Sequence, residues 1–287
     1  MAHPQRVDQA LAWARAQWRE ETDAEPLDAD LLLAHVLDLP RAALLARPEA
    51  ALTRAQADRF AALVMRRAEG TPVAYLIGRH PFYDRDFLVT PDVLIPRPET
   101  EHLIEAALTW ARGRGPLRVA DVGTGSGAIA VTLAAHLPDA RVHAIDRSAA
   151  ALAVAQQNAE RAGVARHVTF YQGDLLAPLL VSSEPLDLIA ANLPYIPSAE
   201  LAALDVARHE PSLALDGGPD GLDVIRRLLA QAPRTLAANG LMLLELGAGQ
   251  GAQAAALAAE QFPGAAIVVL ADYAGHDRVL RVERRAQ

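Results

Sequence analysis

The sequence predicts an α/β fold: an open, mostly parallel sheet with helices on both faces, preceded by a small all-helical domain. Three observations predict it. From Leu117 onward, short apolar runs of strand length alternate with longer stretches of helical periodicity, a pattern that needs crossover connections and so a parallel sheet. Before about Gly70, apolar residues recur only at helical spacing. The polar residues with chemical potential fall just after the apolar runs, at the carboxyl ends of strands, where open α/β sheets bind ligands.

Composition narrows the function classes. The chain has 287 residues, enough for one large or two modest domains, and no cysteine, which excludes disulfides, thiolate nucleophiles and cysteine-ligated zinc and fits a reducing compartment. Met1 to Arg19 holds no apolar run of leader or membrane-span length, so a soluble, cytoplasmic protein is expected, with no metal. Net charge is -8, and all 27 basic residues are Arg, read as a genome-composition effect. Binding to duplex nucleic acid rests on phosphate neutralisation and leaves a basic stripe. Here there are only pairs, Arg66-Arg67, Arg226-Arg227 and Arg284-Arg285, so a protein partner fits better.

Taken in order, Val7 to Gly70 reads as a helical bundle. Pro26 with Asp28 marks one helix start, and Thr53 with Gln56 forms a capping box for another. His35, Trp13 and Trp18 read as packing residues, and the domain, lacking chemistry of its own, as a recognition module. Residues 72–98 are expected to be a connector: a hairpin of Tyr75-Leu76-Ile77-Gly78 and Phe82-Tyr83 against Phe87-Leu88-Val89 about the turn Asp84-Arg85-Asp86, then an extended segment, Pro91 to Pro98. A helix follows from Glu101 to about Arg112. Strands are expected at Leu117–Val122, Arg141–Ile145, Val168–Tyr171, Leu186–Ala191, Leu241–Leu246, Ala266–Leu270 and Arg278–Val282. The helices between them are expected to run from the glycine loop to His136, over Ala149–Ala162, and over Leu222–Ala237. Domain boundaries are placed at 1–71, 72–98 and 99–287.

The strand ending at Ala191 runs into Asn192-Leu193-Pro194-Tyr195. The Asn192 side-chain oxygen and the Leu193 main-chain carbonyl form two acceptors for a planar NH2 group, of an amide or of an amino-substituted base, with the Tyr195 ring to cover its plane. The loop Gly123-Thr124-Gly125-Ser126-Gly127 formally satisfies a dinucleotide fingerprint, and Gly247-Ala248-Gly249-Gln250-Gly251 follows a strand as well. Only the first loop is followed by Asp146, Asp174 and the Asn192 turn on successive strands; the second is read as a strand-to-helix turn. With Asp121 before it, the first loop suits a sulfonium-bearing amino acid joined to an adenosine. Glycine lets backbone approach the amino-acid part, Asp146 accepts from both ribose hydroxyls, and Asp174 with Leu175 meets the adenine edge and face. Helix capping with Ser148 is the competing reading of Asp146, and a turn after Gly173 that of Asp174.

These strings resemble the glutamine N5-methyltransferases that modify peptide chain release factors. The resemblance covers the chain from about Pro72 and rests on Pro72 to Gly78, Val93 to Glu101, Asp121 to Gly127, Asn192 to Ile196, Glu210-Pro211 with Ala214-Leu215 and Gly217-Gly218, and Asp272 to Arg278. It implies a class I S-adenosylmethionine-dependent methyltransferase with a Rossmann-like, seven-stranded sheet. Asn192 to Tyr195 would hold the substrate glutamine, and Asp121, Gly123 to Gly127, Asp146, Arg147, Asp174, Leu175 and Asn192 the cofactor. It also implies a release factor as partner, no direct nucleic-acid binding and a monomer. One departure stands out: the family usually has Asn-Pro-Pro-Tyr, and here Leu193 replaces the first Pro. The implied contact there is a main-chain carbonyl, which Leu also supplies. Two alternatives share the motif: N5-glutamine methylation of a ribosomal protein, and N6-adenine methylation of nucleic acid, since Asn-Leu-Pro-Tyr is also similar to RNA adenine-N6 methyltransferases. Arg97, Glu99 and Glu210 receive no chemistry.

Overall fold

The computed structural model describes residues 5–18, 24–181 and 184–285, and the chain divides into two compact units, Met1–Arg79 and His80–Gln287. Both ends of the stretch Met1 to Arg19 lie outside the described residues.

The first unit is helical: α1 (Val7–Gln17), α2 (Pro26–Leu37), α3 (Arg41–Leu45), α4 (Arg54–Ala68) and α5 (Val73–Ile77). Both expected helix starts form. Pro26 takes the first turn of α2, where no N–H is required, and Asp28 closes a capping box with Glu25; Thr53 and Gln56 do the same for α4. Leu32, Leu33, Phe60 and Val64 are fully buried between these helices. Trp13 packs edge-on against Phe60, and the Trp18 indole N–H donates to the Val64 carbonyl at 3.3 Å. The buried Asp30 carboxylate is satisfied by Arg15 at 2.9 Å and Arg41 at 2.8 Å. His35 is half-buried, and burial lowers its pKa.

Tyr75 to Gly78 is not a strand. Pro72 presets the backbone for a helical turn, the Tyr75 and Leu76 N–H groups bond back to its carbonyl, and Gly78 ends α5 in the left-handed region at φ +78°. Leu76 joins the core of the helical unit, so the expected connector is split. The hairpin is only β1 (Arg79–Phe82) and β2 (Arg85–Leu88), turning at Tyr83 and Asp84.

The second unit continues with α6 (Thr100–Ala111), β3 (Arg118–Val122), α7 (Ala128–His136), β4 (Arg141–Asp146), α8 (Ala149–Arg161), β5 (Val168–Gln172) and β6 (Leu186–Ala191). After it come α9 (Ser198–Leu201), α10 (Asp223–Gln231), β7 (Leu236–Glu245), α11 (Gly251–Gln261), β8 (Ala266–Ala271) and β9 (Asp277–Glu283). The sheet has seven strands in the order β5-β4-β3-β6-β7-β9-β8, parallel except for β9. Alternation along β6 explains the two layers: Leu188 and Ala190 enter one core with α6 and α7, Ile189 and Ala191 the other with α10 and α11. The helix expected over Leu222–Ala237 stops at Gln231. Pro233 cannot continue it, and β7 begins at Leu236. The connections run outward from β3 through β4 to β5, then resume on its other side at β6, which makes β3/β6 the switch point of the sheet. No helix among the described residues is long and apolar enough to cross a membrane.

Candidate active site

At the switch point, Asp121 of β3 lies opposite Ala190 of β6, which brings the glycine loop beside the Asn192 turn. The approach requires glycine at 123: φ is +76°, and a Cβ there would stand 3.0 Å from Leu193 Cδ2. The loop is pinned from the next strand, since the Gly123 and Thr124 N–H groups both donate to the Ile145 carbonyl, at 2.8 and 2.9 Å. Beneath it the fully buried Asp121 accepts through Oδ2 from Thr124 Oγ1 at 2.6 Å and from the Ala130 N–H at 2.9 Å. Burial pushes its carboxyl up to about 7.

Asp146 ends β4 and holds two backbone donors, Gly125 N–H on Oδ2 at 2.9 Å and Ser148 N–H on Oδ1 at 2.8 Å. Capping of α8 falls to the Ser148 hydroxyl, which accepts from the Ala151 N–H, so Asp146 is free of that task. Asp174, after β5, pairs with Arg227 of α10 and lies 3.8 Å from Arg147. Its neighbour Leu175 is buried at φ +53°, a strained conformation for a branched side chain.

A cavity of about 590 Å³ connects these groups. Gly123 to Ser126, Asp146, Arg147, Asp174 and Leu175 line one part of it, and Asn192, Leu193 and Pro194 another. Asp121 and Gly127 stand behind the wall. Tyr195 is also outside the lining: its carbonyl accepts from Gln250 Nε2 at 2.9 Å, and a Cβ on Gly247 would come within 3.2 Å of its ring. The second glycine loop is thus a brace under the Asn192–Tyr195 turn, with the Gln250 side chain also accepting from the Gly247 N–H at 2.8 Å. Burial raises the Tyr195 hydroxyl to about 12, so it is protonated at neutral pH.

Asn192 donates through Nδ2 to Thr100 Oγ1 at 3.0 Å, and Thr100 donates to Glu245 Oε2 at 2.6 Å. Glu245, at the end of β7, is 1% exposed, and burial lifts its carboxyl to about 7 against the lowering effects of Thr100 and Arg278. Glu210 is buried as well. It accepts from the Ile95 N–H at 3.1 Å and from Arg97 at 2.5 Å, tying the proline-bounded segment to the loop around Pro211, and both border the cavity. Thr100, Arg97 and Glu210 stand in recognisable strings, but their pairing is not legible in the sequence, and no local pattern marks Glu245 or Gln250.

Family models match both units: one described as PrmC N-terminal domain over residues 9–78, and one described as Methyltransferase domain over residues 115–231. A curated release factor glutamine methyltransferase of Moorella thermoacetica is 49% identical over 262 residues, covering 91% of this chain and 92% of that protein. The chain belongs to the release factor glutamine methyltransferase family. The Bacillus subtilis member is 42% identical over 280 residues, covering 96% of each chain. Among solved structures, a methyltransferase from Pyrococcus furiosus superposes with a TM-score of 0.52 at 18% identity over 70% of this chain and 89% of that one. The T. thermophilus 16S rRNA N2 G1207 methyltransferase, in complex with AdoMet and guanosine, gives 0.51 at 21% over 70% and 47%. These likenesses establish the methyltransferase fold. Within the family, the Leu193 departure has a structural account: its side chain is 4% exposed and packs into the core that holds β6 and α10, so the turn keeps its anchor without the proline ring.

Proposed function

We propose that this chain transfers a methyl group from S-adenosylmethionine to the side-chain amide nitrogen, N5, of the glutamine in the Gly-Gly-Gln loop of a peptide chain release factor. The observation that carries the reading is the meeting, in one cavity, of the glycine loop with Asp146 and the Asn192–Leu193 strand end.

The residues present fit the cofactor. Gly123 and Gly125 leave backbone open to the methionine part. Asp146 spends one acceptor site of each oxygen on Gly125 and Ser148; a carboxylate has about four, which leaves one per oxygen for two ribose hydroxyls. Arg147, Asp174 and Leu175 would border the adenine, and Asp121 would hold the loop from behind. When bound, the cofactor supplies an electrophilic methyl on a sulfonium.

The acceptor problem falls to Asn192 and Leu193. An amide nitrogen is a poor nucleophile because its lone pair is delocalised into the carbonyl. Acceptors at Asn192 Oδ1 and the Leu193 carbonyl would take both of its N–H bonds, aim the nitrogen along the line of transfer and favour the positive charge that develops on it. No general base is needed before transfer, because the surplus proton becomes acidic once the methyl has moved. Pro194 stiffens this turn and Tyr195 holds it from beneath. The helical unit, without chemistry of its own, would serve recognition of the protein substrate, and the acidic net charge fits a protein rather than a nucleic-acid partner. A monomer acting in the cytoplasm completes the proposal.

Methyl-labelled S-adenosylmethionine with a bacterial release factor, either intact or with its Gly-Gly-Gln glutamine changed to alanine, tests this. Label entering only the intact factor is expected. No label in either, with cofactor binding intact, would overturn the release-factor reading and direct the search to ribosomal-protein glutamine and adenine acceptors.

A further inference from the structure

We infer that Thr100 and Glu245 are positioning residues that set which face of the Asn192 amide meets the acceptor. The inference rests on the proposed role of Asn192. The two groups come from different elements, the first turn of α6 and the end of β7, and both are almost fully buried. Thr100 has a single hydroxyl proton, and it is committed to Glu245 Oε2 at 2.6 Å. The hydroxyl can then only accept from Asn192, so Asn192 must turn its NH2 toward Thr100, as the 3.0 Å contact shows.

The consequence is chemical. An Asn side chain flipped by half a turn has nearly the same shape but offers a donor where the incoming NH2 group needs an acceptor. While Glu245 is ionised, the flipped amide would set its oxygen against a Thr100 lone pair, and protonation of Glu245 removes that constraint. Glu245 therefore selects the productive amide face, through the Thr100 proton that it holds and through its own pull on the Asn192 NH2.

Its burial has no compensating ion pair among the described residues. Arg278, the facing cation on β9, bonds instead to Asp272 at 3.1 Å and to the Leu246 carbonyl at 3.2 Å, while the neighbouring Glu99 is repulsive and Tyr195 is neutral. Glu245 Oε1 has no hydrogen-bond partner among the described residues. A buried, unpaired carboxylate is costly, so stability does not account for it, whereas orienting Asn192 does.

The test uses the full-length protein with Thr100→Val, which keeps the shape and loses the hydroxyl, Thr100→Ser, which keeps the hydroxyl, and Glu245→Gln. Thr100→Val is expected to lower kcat for the release factor by about 100-fold, with cofactor affinity within about twofold of wild type. Thr100→Ser should restore kcat to within about threefold, and Glu245→Gln should fall between, since its amide both accepts and donates. A second readout needs no acceptor. The Asn192 side-chain NH2 resonances, assigned by their loss in Asn192→Ala, should move in Thr100→Val and return in Thr100→Ser. Resonances unmoved in Thr100→Val, or equal losses of kcat in the two Thr100 variants, would overturn the inference. A wild-type protein that does not methylate the factor would remove the proposed function, while the resonance arm still decides the relay.

Discussion

Asp146→Asn separates cofactor binding from chemistry. In the folded protein Asp146 meets two backbone donors, the N–H groups of Gly125 and Ser148. Asparagine has one oxygen, so its NH2 must face one of those N–H groups, donor against donor, and one hydrogen bond to a charged acceptor is lost before any ligand arrives. The ribose loses a charged acceptor too. Hydrogen bonds to charged groups contribute about 1.5–3 kcal/mol each, so loss of one weakens binding about 10- to 150-fold. Calorimetric titration with S-adenosylhomocysteine measures this directly. Asp146 makes no hydrogen bond to Asn192 or to the residues that hold it, so turnover at saturating cofactor should stay within about threefold of wild type. Affinity unchanged within twofold, or turnover falling as far as affinity, would refute the assignment of Asp146 to the ribose.

Asn192→Ala should lower turnover on the order of 100-fold or more, the effect of removing one transition-state hydrogen bond; wild-type turnover would remove Asn192 from the acceptor site. Gly221→Ala should disturb the same turn from outside. Its Cβ would fall 2.3 Å from the Tyr195 carbonyl oxygen and 2.7 Å from Gln250 Nε2 at φ +76°, so a loss of about 1–3 kcal/mol in urea denaturation is expected, together with a raised KM for the release factor. Unaltered denaturation would show that the brace is slack. Stability should also carry the mark of Glu245, whose carboxyl is raised by burial from 4.5 to about 7. Across that window the folded chain keeps a proton that the unfolded chain has released, so this group's contribution is present at acid pH and is lost as pH rises through about 7. The stability of wild type relative to Glu245→Gln should therefore decline by up to about 1.4 kcal/mol per pH unit between pH 5 and 7, and a pH-independent difference would contradict the burial argument.

The legible features were local ones. Strand ends at Val122, Ala191 and near Asp146 announce themselves by an apolar run meeting Gly, Asp or Asn, and the alternation that buries both faces of β6 is written into Leu186 to Ala191. Tyr75 to Gly78 was misread because a short apolar run suits a strand or a helical turn equally, and what decides is the proline before it and the burial of Leu76. The helix end at Gln231 was overrun because apolar residues continue through it into β7. The supporting network was illegible for a different reason. Thr100 and Glu245 are 145 residues apart and Glu210 and Arg97 are 113 apart, and nothing in either neighbourhood names its partner. Tyr195 is expected to cover the substrate; the structure holds its carbonyl by Gln250, from a loop read as a strand-to-helix turn, and no local feature of the sequence announces that brace.

The near-contact between Gly123 and Leu193 couples the histories of two motifs. A Cβ at 123 would stand 3.0 Å from a terminal methyl of Leu193, so the cofactor loop and the acceptor turn share one steric allowance. A bulkier residue at either position draws on the same clearance. With φ at +76° position 123 stays glycine, so the clearance is left to position 193, which can depart from proline toward a side chain that bends into the core, as leucine does here. A glycine on the methyl-donor side thus sets how far the side chain on the acceptor side can grow toward it.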